Sequence, residues 1–298
     1  METLSQTKEQ ILRHLATYKY LTVSQLLQDL KVQLSPQKCR QYLNEMRTRQ
    51  SLTGRMACSA VPQGVNKQSM VRRVRHEDLH YLTNKGAEFL DDSTELSLPD
   101  IRFARKLKTT LSNDYFHRIS TVSINISFDK WVRKHGFHPL CFLVYYDKRG
   151  IVKENEDFKA ETRLDFDDGR HYTPDVICAF DKDGEPFLFV LEVYHGNRTT
   201  YAFEQLKKLF LIIEHHTQKI AEKARVSKTP RVLCVFDNDT LLENVRSKVK
   251  ADSFFAREGL QELLYFNRDN QVWEDFGKDW QKMNGEKLDL STIQKVKF

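Results

Sequence analysis

Apolar residues recur at helical spacing through the first fifty positions. Ile11, Leu12 and Leu15 share one face of a helix predicted over residues 8–18. After a break at "YKYLT", Thr22 and Gln25 have the spacing of a capping box, and Leu26, Leu27 and Leu30 form the inward side of a second helix. Ser35-Pro36 opens a third, with the proline at its first position. Cys39, Tyr42, Leu43 and Met46 make its apolar face, and Lys38, Arg40, Arg47 and Arg49 lie off that face. Two short strands around a polar loop, Pro62 to Gln68, come next. The second carries Arg72, Arg73 and Arg75, and a short helix follows from Thr83.

The pattern then changes. Residues 93–112 read as a linker, and Phe116, Ile119, Val122 and Ile126 stripe a long helix that Gly136 ends. Strands are predicted near Leu140–Tyr146, Ala160–Phe166, on both sides of Asp183-Gly184, at 231–237 and at 262–266. Helices at 199–223 and 239–250 alternate with them. The last 30 residues are polar with scattered aromatics and predict nothing. This order implies an α/β body (α+β over the whole chain) with a mixed sheet. The domain organisation it suggests is 1–92, a linker 93–112, 113–270, and an extension 271–298.

Charge sharpens the division. The formal net charge is +6. Residues 1–90 hold 14 Lys and Arg against 7 Asp and Glu, so the other 208 residues sum to −1. Three helices and a basic hairpin are the layout of a winged helix-turn-helix. In that layout the third helix enters the major groove of double-stranded DNA and the wing touches phosphates. The bland alternative is a solvated charged face on a small helical domain. The five cysteines are odd in number, widely spaced and without a CxxC pair, which reads as small buried residues in a reducing compartment. With no signal-like N-terminus and no long apolar run, the expectation is a cytoplasmic protein with no membrane partner.

The candidate chemistry lies in "YTPDVICAFDKDGEPFLFVLEVYHG", residues 172–196. Asp183-Gly184 favours a two-residue type I′ turn. Lys182 then pairs with Glu185, and continuing the ladder sets Asp175 opposite Glu192 on one face. Two carboxylates so close among apolar residues must share a proton, pair with an arginine, or hold a cation. Mg²⁺ or Mn²⁺, hard and oxygen-liganded, suits such a pair. On the following helix, Phe203, Leu206, Phe210 and Ile213 face inward. A helical wheel puts Lys207 at the edge of that face and Lys208 nearly opposite it, which selects Lys207 as the cation near the acids. Tyr145, Tyr146, Tyr172, Tyr194 and Tyr201 are the tyrosines a covalent mechanism could use.

"TPD" and "LEVY" together resemble the restriction-endonuclease-like PD-(D/E)xK superfamily. The wider set "YLTNKGAEFL", "HRISTVSINISF", "TPDVI", "LEVYHG", "LKKLF" and "RVLCVF" resembles the replication-relaxation family of plasmids and mobile elements and the related MobC-type mobilisation relaxases. The resemblance spans about residues 5–270. It implies a bacterial DNA-nicking endonuclease with Asp175 and Glu192 as metal ligands, Lys207 in place of the lysine usual two residues after the glutamate, and Glu161 as an extra acid. His117 sits where the family tends to have a histidine. Tyr194 stands where the superfamily has its lysine and where family members commonly have an acid. A homodimer and mobilisation or transposition partner proteins are compatible with this reading.

Two alternatives stay open: a replication or transcription factor on a degenerate nuclease fold, and a transposon end-cleaving endonuclease acting with a transposase. Other enzyme classes lack their motifs. There is no Walker A sequence, no GxGxxG after a strand, no GxSxG, no HExxH and no zinc spacing of histidines with cysteines.

Overall fold

The computed structural model describes residues 4–30, 33–57, 59–60, 74–104, 114–149, 159–257 and 260–294. The protein is a mixed α/β chain, as the hydrophobic pattern predicts, and divides into two compact units, Met1–Ile126 and Ser127–Phe298. The division falls inside a long helix.

In the first unit, helices α1 (Gln6–Tyr18), α2 (Val23–Asp29) and α3 (Pro36–Thr48) precede strands β1 (Thr53–Met56), β2 (Ser59–Ala60), β3 (Val74–Arg75) and β4 (Leu79–Leu82). Helix α4 (Asn84–Ser93) follows. The start signals act as read. Thr22 accepts from the Gln25 amide while the Gln25 side chain accepts from the Thr22 amide, and Ser35 and Thr83 cap α3 and α4. Strands β1 and β4 are antiparallel, β2 pairs with β3, and Leu21 bridges to His80. Ile11, Leu15, Leu26, Cys39, Leu43 and Leu82 are among the core residues, each at most 1% exposed. The predicted hairpin loop Pro62–Gln68, with Arg72 and Arg73, lies outside the described residues.

Helix α5 (Tyr115–His135) is not the single stripe its pattern suggests. Phe116 and Ile119 are only half-buried, whereas every residue from Ser120 to Phe128 is buried. Small hydroxyl and amide side chains (Ser120, Thr121, Ser123, Asn125, Ser127) fill the positions between the large apolar ones, so close packing is not confined to one side.

The second unit continues with β5 (His138–Val144), β6 (Lys148–Arg149), β7 (Lys159–Ala160), β8 (Leu164–Asp165), β9 (His171–Tyr172), β10 (Val176–Lys182) and β11 (Glu185–Tyr194). Then come α6 (Thr199–Ala224), β12 (Arg231–Phe236), α7 (Asp239–Ala251), β13 (Leu264–Arg268), α8 (Asp269–Glu274), β14 (Trp280–Gln281) and β15 (Lys287–Leu288). Among the described residues, seven strands form one sheet in the order β15-β14-β13-β12-β11-β10-β5. Strands β11, β12 and β13 are parallel, joined through α6 and α7, and the outer strands are antiparallel. One face packs on α6 and α7 through Leu188, Val190, Val232, Leu206, Phe210 and Val245. The opposite face carries stacked and edge-on rings, with Phe180 and Phe189 on the sheet and Trp131 and Phe276 above them. The C-terminal residues are not featureless: β14 and β15 extend the sheet, and Trp280 is fully buried with its indole N–H donating to the Phe276 carbonyl. Among the described residues no helix is long and apolar enough to cross a membrane.

Two glycines test this architecture. Asp183 (φ 56°) and Gly184 (φ 79°) are both left-handed, as a type I′ turn demands, and nothing crowds the Gly184 position. Gly184→Ala should therefore cost about 1–2 kcal/mol, the left-handed penalty alone. A Cβ at Gly277 would lie 1.9 Å from the indole nitrogen of buried Trp131. Gly277→Ala should cost more, about 3 kcal/mol, the upper end of overpacking effects. Urea denaturation measures both; a Gly277→Ala protein as stable as wild type would mean that the aromatic layer is packed differently.

Candidate functional site

The register of β10 and β11 runs Lys182↔Glu185 through Val176↔Leu191 without a slip. Asp175 sits one position before β10, so the same ladder sets it against Glu192 on the face that packs under α6. Both acids lie just below the surface, 9% and 8% exposed. Their carboxyls are close enough to perturb one another. The Asp175 carboxylate accepts the Val193 N–H at 2.8 Å, and Glu192 accepts the Tyr172 hydroxyl at 2.9 Å. Burial, reinforced by Asp175, pushes the Glu192 carboxyl well above its ordinary range, so the folded pair favours keeping a proton. Burial and then Glu192 raise the Tyr172 phenol in turn.

The two lysines differ from the helical-wheel expectation. Lys207 Nζ lies 3.1 Å from an Asp252 carboxylate oxygen, at the end of α7, and over the ring of Phe254. Lys208 is exposed and holds its ammonium 5.5 Å from the ring centre of Tyr172, the residue bonded to Glu192. A wheel measures how far a residue is turned from the buried face but not what each flank meets. Ala202 and Leu209 widen that face, and the flank carrying Lys207 turns to α7 while the Lys208 flank turns to β9.

Glu161 is not on a strand either. It falls in the turn between β7 and β8, buried at 8%, with its amide donating to the Asp147 carbonyl. Next to it, the Thr162 hydroxyl donates to the carbonyl of Pro174, fixing the residue before Asp175. Among the described residues no group of three or more His, Cys, Asp or Glu side chains is placed to hold a metal. A cation here would rest on Asp175 and Glu192. Those donors fit Mg²⁺ or Mn²⁺, which are commonly held by one or two carboxylates and complete their shells with water and phosphate oxygens. His117 lies in the first unit, half-buried, its carbonyl accepting the Thr121 hydroxyl. Of the tyrosines singled out, Tyr146, Tyr172 and Tyr194 are buried, Tyr145 is half-buried and Tyr201 is 59% exposed.

Sequence reasoning named Tyr172 only as one of five tyrosines for a covalent mechanism and chose Lys207 over Lys208, so it foresaw neither the Tyr172–Glu192 bond nor Lys208 beside it. Tyr172 sits in "HYTPD" beside the acid, but only the short β8–β9 pair turns its hydroxyl onto Glu192. It also missed the strand ends beyond the acids. There His195 Nδ1 lies 3.6 Å from an Asp237 oxygen that accepts the Gly196 N–H, and Asn238 bonds both the Gly196 carbonyl and Asp237.

On the first unit, Arg40 and Arg49 are exposed and Lys38 and Arg47 half-buried, all off the buried face that Cys39, Leu43 and Met46 make on α3. Lys38 lies over the Tyr42 ring and Arg47 donates to Asn44. Arg75 belongs to β3, with its side chain outside the described set. No family model, no curated protein and no solved structure matches the chain.

The buried pair has a pH signature. Glu192 has a folded-state pKa above its ordinary 4.5, so the folded form binds the extra proton and stability must fall as pH rises above about 4.5. Urea titrations in chelator from pH 5 to 8 should show that decline in the wild type and a shallower one in Glu192→Gln. Parallel curves would mean Glu192 is ionised in the fold.

Proposed function

We propose that this chain is a metal-dependent DNA-nicking endonuclease, of the kind that acts in plasmid or mobile-element replication, relaxation or mobilisation. Its first unit serves as a winged-helix DNA-binding module. The observation that carries the reading is the acid pair: two buried carboxyls set opposite each other by the β10–β11 register, roofed by a tyrosine and marked at the surface by Lys208. Apart from a cation, a fold has little reason to keep two acids sharing a proton beneath an apolar sheet face.

Hydrolysis of a phosphodiester joins a water oxygen to phosphorus and breaks the bond to the leaving oxygen, with a proton passing to that oxygen. Mg²⁺ or Mn²⁺ bound at Asp175 and Glu192 would neutralise phosphate charge and acidify the attacking water. The protein's part is to release the proton of the acid pair, to keep the Asp175 carboxylate oriented through the Val193 amide, and to present the Lys208 ammonium to the phosphate. Lys207, committed to Asp252, supports the α6–α7 packing. A non-cleaving DNA-binding scaffold is the second reading, favoured by the Tyr172–Glu192 bond that closes the pair when no cation is present.

Supercoiled plasmid incubated with the full chain separates these readings. With Mn²⁺ and not with chelator, wild type should give open circles; linear product would indicate paired-strand cleavage, as at transposon ends. Lys208→Ala should lose about a hundredfold in rate, in line with removal of one donor to a developing charge. Lys207→Ala should nick at close to the wild-type rate and melt lower. A mobility shift without any cut would leave the scaffold reading.

Exposed Arg40 and Arg49, together with Arg47, make the matching test of the first unit. Replacing all three with Ala should reduce the dependence of log affinity on log salt by up to about 3, close to one counterion per phosphate contact. An unchanged slope, measured by fluorescence anisotropy on duplex DNA, removes α3 from the interface.

A further inference from the structure

One polar group beside the acid pair has no partner. Tyr194 is 6% exposed, and its hydroxyl is buried with no hydrogen-bond partner among the described residues. The ring is held flat against Phe236, 5.2 Å between centres and 26° between planes, so the hydroxyl is not free to swing out to water. Two residues after Glu192 on the same strand, it occupies the same face of the sheet. Tyr172, Tyr194 and Cys234 belong to one buried cluster on that face, and Cys234 stands beside Glu192 on the neighbouring strand. Tyr172, by contrast, has spent its hydroxyl on Glu192. A buried O–H left unsatisfied costs free energy in the resting fold and points to a partner that arrives with a ligand.

We propose that the Tyr194 hydroxyl is the hydrogen-bond donor to a non-bridging phosphate oxygen of the phosphodiester at the Asp175–Glu192 site. This rests on the nuclease reading of that pair. A neutral phenol suits the task, because it donates one directed hydrogen bond without adding a charge that would repel a cation held by the two acids. It also accounts for an aromatic residue at this point of the strand. The Phe236 stack fixes the ring, as a flexible side chain would not be fixed, and a fixed donor pays no ordering cost when the charge on phosphate builds up.

Tyr194→Phe removes the oxygen and keeps the ring, so it separates this role from packing. Three measurements on the full-length variant and wild type decide it. In chelator, the variant should melt at or above the wild-type temperature, because it loses an unsatisfied buried group. Added Mn²⁺ alone should raise the melting temperature of both proteins equally, because the donor serves phosphate rather than the cation. In Mn²⁺, plasmid nicking by the variant should fall about a hundredfold, in kcat rather than in KM.

A variant that nicks at the wild-type rate while wild type is metal-dependent overturns the inference and leaves the nuclease reading standing. A variant that melts clearly lower in chelator shows that the hydroxyl has a structural partner and also overturns it. A wild type that neither gains stability with Mn²⁺ nor nicks removes the nuclease reading, and this inference with it.

Discussion

The pairing of β10 with β11 across a two-residue turn governs what this protein can do. Because Asp183 and Gly184 both take left-handed backbone angles, the strands leave the turn with Lys182 opposite Glu185. Every later pair follows from that, including the juxtaposition of Asp175 with Glu192. One residue of slip would send one acid to the aromatic face beneath Trp131 and leave the other among aliphatic side chains, each without the other. The dense apolar packing on both faces makes such a slip costly, so the core and the site are held by the same constraint.

Around that register the chain spends its polar groups unevenly. The parallel strands β11, β12 and β13 end together, and where they end the side chains change from apolar to His195, Asp237, Asn238 and Arg268. Crevices at the carboxyl ends of parallel strands are the usual place for a site in open α/β sheets, because loops there diverge and helix N-termini point inward. The acid pair belongs to the same edge, on the face under α6. Burial pushes Glu192 towards its neutral form, which relieves the repulsion that two carboxylates would feel at close range in a setting that screens charge poorly.

Much of this was legible in the chain. Local rules placed the Thr22–Gln25 capping box, the proline-led α3, the hairpin turn and the alternation of α6, β12, α7 and β13, because each depends on residues within a few positions of one another. They also gave the facing acids, since a tight turn carries register outward residue by residue. Short, isolated strands escaped. The predicted strand over Ala160–Phe166 is two fragments with Glu161 in the turn between them, and β14 and β15 are too short for any periodicity to show.

The sequence by itself determined that Asp175 and Glu192 meet, because strand geometry repeats every two residues and needs no knowledge of the rest of the fold. Tertiary structure decided what surrounds them. A wheel sets Lys207 at the edge of the buried face of α6 and Lys208 away from it, but it does not say what either flank meets; the placement of α7 on one flank and β9 on the other sends Lys207 to Asp252 and Lys208 to Tyr172. Likewise, the sequence marks Tyr194 by its place two residues after Glu192, but only the packed fold leaves its hydroxyl without a partner among the described residues. Which groups share a cavity depends on contacts between residues far apart in the chain, and local periodicity carries no record of those.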